Sequence, residues 1–186
     1  MVMWIIIGIA TAVVLWIIAS YNSLVSLKNQ ALNGWKQIDV QLKRRHDLIP
    51  NLVETVRGVM KFEQSTLTQV IEARNKAISA QGIAQKGIQE NALTGALRQL
   101  FALVENYPNL KSNENVSKLQ EELSSTENRI GFARQFYNDI ATKFNITQQT
   151  FPTNVIAGMF GFKQSELFGI TDASEREVPK VDLNLK

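Results

Sequence analysis

The sequence predicts an all-α chain in which an N-terminal transmembrane helix continues into an antiparallel up-and-down bundle of long helices. Three observations carry that expectation. Residues 2–19 form an apolar run without a single charge. Downstream, Leu24, Ala31, Trp35, Ile38, Leu42, Ile49, Val53, Val56, Met60, Leu67, Val70 and Ala77 recur at steps of three, four or seven, the spacing of one buried helix face. Two more stretches with apolar faces follow, separated by short links containing Gly, Pro and Asn. The expected division is a transmembrane anchor over residues 1–20, a helical bundle over 21–168 and an extended tail over 169–186.

Composition narrows the function classes. A chain of 186 residues holds one soluble domain plus an appendage. It has no cysteine, which excludes disulfides, thiolate nucleophiles and cysteine-bound metals. Lys and Arg number 20 against 17 Asp and Glu, a net +3 that is too balanced for a nucleic-acid-binding face.

The first element is the anchor. Eighteen helical residues rise about 27 Å, close to the roughly 30 Å hydrocarbon core of a bilayer. Trp4 near one end, and Trp16 and Tyr21 near the other, suit amphipathic rings at the two interfaces. A cleaved leader is the competing reading, but the run lacks a basic start, and Ile17 and Ala19 before Ser20 make a poor cleavage site. Lys28, Lys36, Lys43, Arg44 and Arg45 all follow the run and no basic residue precedes it. The positive-inside rule then gives a single-pass protein of the cell (inner) membrane, with the N-terminus outside and the bundle on the cytoplasmic side.

From Tyr21 onward the stripe runs without a loop signal and passes in register through Asn33-Gly34. Pro50 has no N–H for the His46 carbonyl, so a straight helix is excluded. Either the helix kinks there, or Asp47 caps a new helix with Pro50 in its first turn. Leu48, Ile49, Leu52 and Val53 look packed rather than looped, which favours the kink. Residues 21–49 then form a stalk roughly 40 Å long. Its apolar seam, with Leu24, Trp35, Ile38 and Leu42, calls for a protein partner, and a second copy of the chain is the simplest. The first long helix is expected to end within residues 80–87, where Gly82 and Gly87 fall.

Residues 88–105 present Ala92, Leu93, Ala96, Leu97, Leu100, Phe101 and Val104 on one face, and Tyr107-Pro108-Asn109 stops them. Ser112 or Asn113 can cap the next helix, which runs to about Asn145 with Val116, Leu119, Leu123, Ile130, Ala133, Tyr137, Ile140 and Phe144 as its stripe. Three long helices with short links must pack up, down, up. Residues 150–162 are dense in large apolar side chains, among them Phe151, Val155, Ile156, Met159, Phe160 and Phe162, and Leu167 and Phe168 extend the cluster. They read as a lid over the open end of the bundle or as a contact patch for protein or lipid. Val181, Leu183 and Leu185 alternate like a strand and read as either a loose tail or an edge that pairs with another chain.

QIDVQLKRRHDLIPNLVETV, FEQSTLTQVIEARNKA, ENYPNLK, LQEELSSTENRIGFARQFYND and FPTNVIAGMFGFK together resemble the bacterial LemA family, and the RR-x-D-LIPNLV run is quite specific. The resemblance covers nearly the whole chain. It implies a single-pass membrane protein with an exposed, very short amino terminus and a cytoplasmic-side helical bundle. It brings no established enzymatic activity and hence no catalytic residues.

The residues that carry chemistry elsewhere are sparse. His46 is the only histidine, and Asp47, adjacent on a helix, points away from it. No HExxH or phosphate-cradling glycine pattern occurs. Lys43-Arg44-Arg45 is too short for a phosphate track and reads as salt-bridged surface or a partner-recognition turn. Glu63 and Arg74 lie near the apolar stripe, and Glu127 and Arg134 do the same on the last long helix. Charges so placed need opposite partners, so Glu63 is expected to meet Arg134 or Arg129, and Arg74 to meet Glu127 or Glu122.

The function expected from all this is a membrane-anchored scaffold or adaptor, not an enzyme, working by self-assembly and contact with other membrane proteins. Its contact residues are Leu24, Trp35, Ile38, Leu42, Arg44, Arg45, Phe151, Phe160 and Phe162; its polar core is Glu63, Arg74, Glu127 and Arg134. No cofactor, metal, nucleic acid or small-molecule substrate is expected, and the bilayer is met through residues 2–19. The alternative is a sensor or regulatory subunit whose packing changes at Pro50 with membrane state.

Overall fold

The computed structural model describes residues 1–58 and 64–169. Among these are the helices α1 (Val2–Arg57), α2 (Gln64–Ser79), α3 (Ile83–Val104), the single turn α4 (Pro108–Lys111), α5 (Glu114–Gln149) and α6 (Thr153–Met159), and no strand. The 56 residues of α1 extend about 84 Å at 1.5 Å each, so one helix supplies both the apolar run and the first wall of the bundle. Among the described residues α1 is the one helix long and apolar enough to cross a membrane, and none of that window is buried in protein.

Pro50 lies inside α1, which continues through it rather than reversing. The His46 carbonyl that Pro50 leaves without a donor accepts a hydrogen bond from Arg74 Nε on α2, at 2.7 Å. Arg74 thus ties α2 to α1 at the proline turn.

The first long helix stops at Arg57, not near residue 80. α2 folds back, and its Leu67, Val70 and Ala77 join Ile49, Leu52, Val53 and Val56 in one buried cluster. A stripe kept in register looks the same whether its helix runs on or reverses, because both arrangements bury the same face. Among the described residues the bundle therefore has four long helices, running up, down, up and down: α1, α2, α3 and α5. Met60 and Glu63 lie outside the described residues, as do Val181, Leu183 and Leu185 of the tail.

α5 lies antiparallel along α1, with Asn113 capping its N-terminus by accepting from the N–H groups of Asn115 and Val116. The core falls into three tiers. Farthest from the apolar run, all four helices share the cluster of Ile49, Leu52, Val56, Val70, Leu93, Leu100, Val116 and Leu123. In the middle, Ala31, Ile38, Leu42, Ile130, Tyr137, Ala141 and Phe168 pack together with Trp35 against them. Nearest the run, Leu24, Leu27 and Phe144 are closed by Ile156 and Ala157 of α6. Leu24, Ile38 and Leu42 are almost wholly buried within the single chain. Their expected role as a self-association seam is corrected: α5 and α6 cover the seam, so it needs no second copy.

Two glycines mark close approaches. Gly34 lies where α1 and α5 cross, and a Cβ there would stand 3.3 Å from Phe136 and Tyr137. Gly87 is inside α3, not in a link, and a Cβ there would come within 2.7 Å of the Gly169 nitrogen. The chain passes over Gly87 as an extended strap, residues 162–169, held along α5 by two asparagines. Asn138 Nδ2 donates to the Phe168 carbonyl (3.2 Å) and Asn138 Oδ1 accepts from its N–H (2.9 Å). Asn145 does the same for Ser165, at 2.8 Å each way. Seven helical residues advance about 10.5 Å and three extended ones about 10 Å, so the two spacings agree.

Candidate functional site

Between the distal and middle tiers, α1, α3 and α5 enclose a cluster of charges. Arg45, expected on the surface, is 1% exposed. Its guanidinium pairs with Glu90 of α3 and Glu127 of α5 and donates to Thr94 Oγ1 at 3.0 Å. His46, the next residue, approaches the other Glu90 oxygen through Nε2 at 2.7 Å. An ionised carboxylate only accepts, so Nε2 carries the proton. Thr94 Oγ1 is also within hydrogen-bond distance of the Glu90 carbonyl and of Glu127. Neighbouring side chains on a helix diverge by about 100°, and Glu90 serves both Arg45 and His46 by offering one oxygen to each.

Glu90 is itself 2% exposed. Burial pushes its pKa up, but the His46 hydrogen bond and the Arg45 charge together outweigh that and hold the carboxyl below its ordinary value. Sequence reasoning did not single out Glu90, although the signal existed. It lies three residues before Leu93 and seven before Leu97, on the buried stripe of α3.

The expected pairings are corrected in detail. Glu127 meets Arg45 rather than Arg74, and Arg74 serves the His46 carbonyl. Arg134 donates to Asn91 Oδ1 at 3.4 Å and sits over the Phe168 ring, 5.8 Å from its centroid. Glu63 is outside the described residues. Arg44 pairs with Glu122 at the surface, both side chains about half exposed. The charge cluster joins α1, α3 and α5 through contacts organised on Arg45 and Glu90, and of the expected polar-core residues Glu127 takes part in it.

Among the described residues no three His, Asp or Glu side chains converge to hold a metal ion. Beside Arg45 and Thr94 a cavity of about 250 Å³ is lined by Leu97, Arg98, Phe101, Leu123, Ser124, Glu127 and Asn128. His46 turns its Nε2 to Glu90, so the arrangement ties α1 to α3.

Two surfaces remain. On the flank of the bundle, an open groove of about 620 Å³ lies between α1 and α5. Val40 (63% exposed), Phe132 (75%) and Phe136 give it an apolar floor, and Lys36 and Arg129 line it beside them. None of these five was singled out as a contact residue, because they fall off the main stripe and look like isolated surface apolar residues. At the end nearest the apolar run, α6 buries one face and exposes the other. Phe151, Val155, Met159 and Phe160 are exposed and Phe162 is half-buried. The stretch therefore closes the tier nearest the run with one face and leaves the other face exposed.

Comparison with known proteins completes the description. Protein LemA of Metamycoplasma hominis is 27% identical over 167 residues, covering 88% of this chain and 73% of that protein. Magnetosome proteins MamQ 1 and MamQ 2 of Paramagnetospirillum magneticum are each 28% identical over 174 residues, covering 80% of this chain and 64% of theirs. The chain thus spans a little under two thirds of the length of those MamQ relatives. The LemA family profile matches residues 34–183, from the α1–α5 crossing at Gly34 through the charge cluster and the strap. The chain belongs to the LemA family.

Proposed function

We infer that this protein is a membrane-anchored scaffold, standing on the cytoplasmic side of the cell membrane, which works by contact between copies of itself and holds other membrane proteins in the resulting assembly. No catalytic role belongs to this reading. The observation that supports it best is the flank groove, where Val40, Phe132 and Phe136 expose apolar area on two helices that are otherwise well packed. α1 passes from the apolar run into the bundle without a linker, so anchored copies share one height above the bilayer and meet groove to groove. Each Val or Phe side chain withdrawn from water contributes roughly 1.5–3 kcal/mol. The hydrogen bond from Arg74 to the carbonyl that Pro50 leaves free supports a fixed scaffold over a sensor that flexes there.

Light scattering on the full chain in detergent micelles and in lipid nanodiscs tests this. The wild type is expected as a dimer or larger assembly. Phe132→Glu should run as a monomer that keeps the wild-type helical content by circular dichroism. A wild type that is monomeric in both media contradicts the reading.

A further inference from the structure

The outer face of α6 lies level with the start of the bundle, where α1 leaves its apolar run. Ile17, inside that run, packs against the cluster that Ile156 and Ala157 of α6 form with Leu24 and Phe144. Tyr21, two residues beyond the run, has its ring centroid 4.7 Å from that of Phe160 and 5.9 Å from that of Phe162. Two helical residues rise only about 3 Å. If the run fills the hydrocarbon, α6 therefore sits at headgroup depth beside it. There its outer face presents Phe151 (78% exposed), Met159 (75%), Phe160 and Val155. Aromatic and apolar side chains on a short helix are the chemistry of an interfacial segment lying in the plane of a membrane.

The charges at this end agree. Residues 140–165 contain Lys143 and Lys163 and no acid, and residues 20–38 contain Lys28 and Lys36 and no acid. Lys28 Nζ stands 5.9 Å from the centre of the Phe162 ring. Lysines within a Debye length of a bilayer are drawn to anionic headgroups.

We propose that α6 and its flanking phenylalanines enter the headgroup layer of the bilayer that α1 crosses, with Lys28, Lys143 and Lys163 on anionic lipid. The protein then touches the membrane at two points, the span and the α6 foot. Two points fix the tilt and rotation of α1 and so the direction in which the flank groove faces. The proposal rests on membrane anchoring through residues 2–19 and is independent of self-assembly.

The test uses the full chain, which has no native cysteine, in vesicles of phosphatidylcholine with phosphatidylglycerol as the anionic lipid. Single cysteines replacing Val13, Phe132, Phe151 and Met159 each carry an environment-sensitive fluorophore, and quenching by nitroxides on the lipid chains is compared with quenching by iodide in the water. Labels at positions 151 and 159 should be quenched severalfold more by the lipid nitroxide than the label at position 132, and shielded from iodide. Replacing Lys28, Lys143 and Lys163 by Gln, or omitting phosphatidylglycerol, should reduce that lipid quenching. Iodide quenching at positions 151 and 159 equal to that at 132 overturns the proposal, as does shielding from both quenchers, which would mean protein contact. The Val13 label keeps the two ideas apart. If it is not lipid-quenched, anchoring itself fails; if it is and positions 151 and 159 are not, only the foot fails.

Discussion

Arg44 and Arg45 are neighbours in the chain with opposite surroundings. Arg44 faces solvent with Glu122, where a pair contributes little. Arg45 is enclosed, and its most buried partner, Glu90, is left uncompensated without it. Arg45→Met should therefore lower the unfolding free energy by about 3–5 kcal/mol in urea titrations followed by circular dichroism. Adding Glu90→Leu to that variant should recover much of the loss, because the orphaned charge is gone. A single variant as stable as the wild type would show that the cluster does not hold the helices.

The same cluster sets an acid response. A carboxyl whose folded pKa is depressed contributes stability that is complete above its unfolded value, here 4.5, and is lost as pH falls through the folded value. Unfolding free energy should thus fall on acidification below about pH 4.5, with Glu90 supplying at most about 1.4 kcal/mol per pH unit. Glu90→Gln should flatten that slope while lowering stability at neutral pH, read from urea titrations across the acid range.

At the scale of elements, the sequence made the buried faces legible and the reversals less so. Leu24, Ile38, Leu42, Val53, Leu67 and Val70 are all buried as their spacing predicts, because helical periodicity reports which side faces protein. It does not report what lies on that side, and so the seam was expected to need another copy when α5 already covers it. Glu127 was legible as a charge near the core, but its partner was not, since partner choice depends on how α1, α3 and α5 rotate against one another. The strap was hidden for a related reason: Asn138 and Asn145 look like ordinary polar surface until an extended segment lies against them. Gly87, read as a link residue, is explained by that segment. Gly87→Ala forces a Cβ against the Gly169 backbone, and the overpacking should cost about 1–3 kcal/mol in urea titrations. Hydrogen exchange should quicken at the Ser165 and Phe168 amides, which Asn145 and Asn138 now hold. Unchanged exchange there would mean the strap does not press on α3.

For the whole molecule, continuity is the governing feature. One helix crosses from the apolar run into the bundle, α5 follows it back, and α6 returns to the level where the run ends. Copies built this way and anchored in one bilayer present their flank grooves at a common height, which turns association into a nearly two-dimensional encounter. The central claim is that those grooves meet. Oxidative cross-linking of single-cysteine variants in intact membranes tests it most directly, since the chain supplies no background thiol. Val40→Cys and Phe132→Cys should give a band of twice the monomer mass, and Ile78→Cys, exposed on α2 away from the groove, should not. No doubled band at either groove position, or equal bands at all three, would contradict the account.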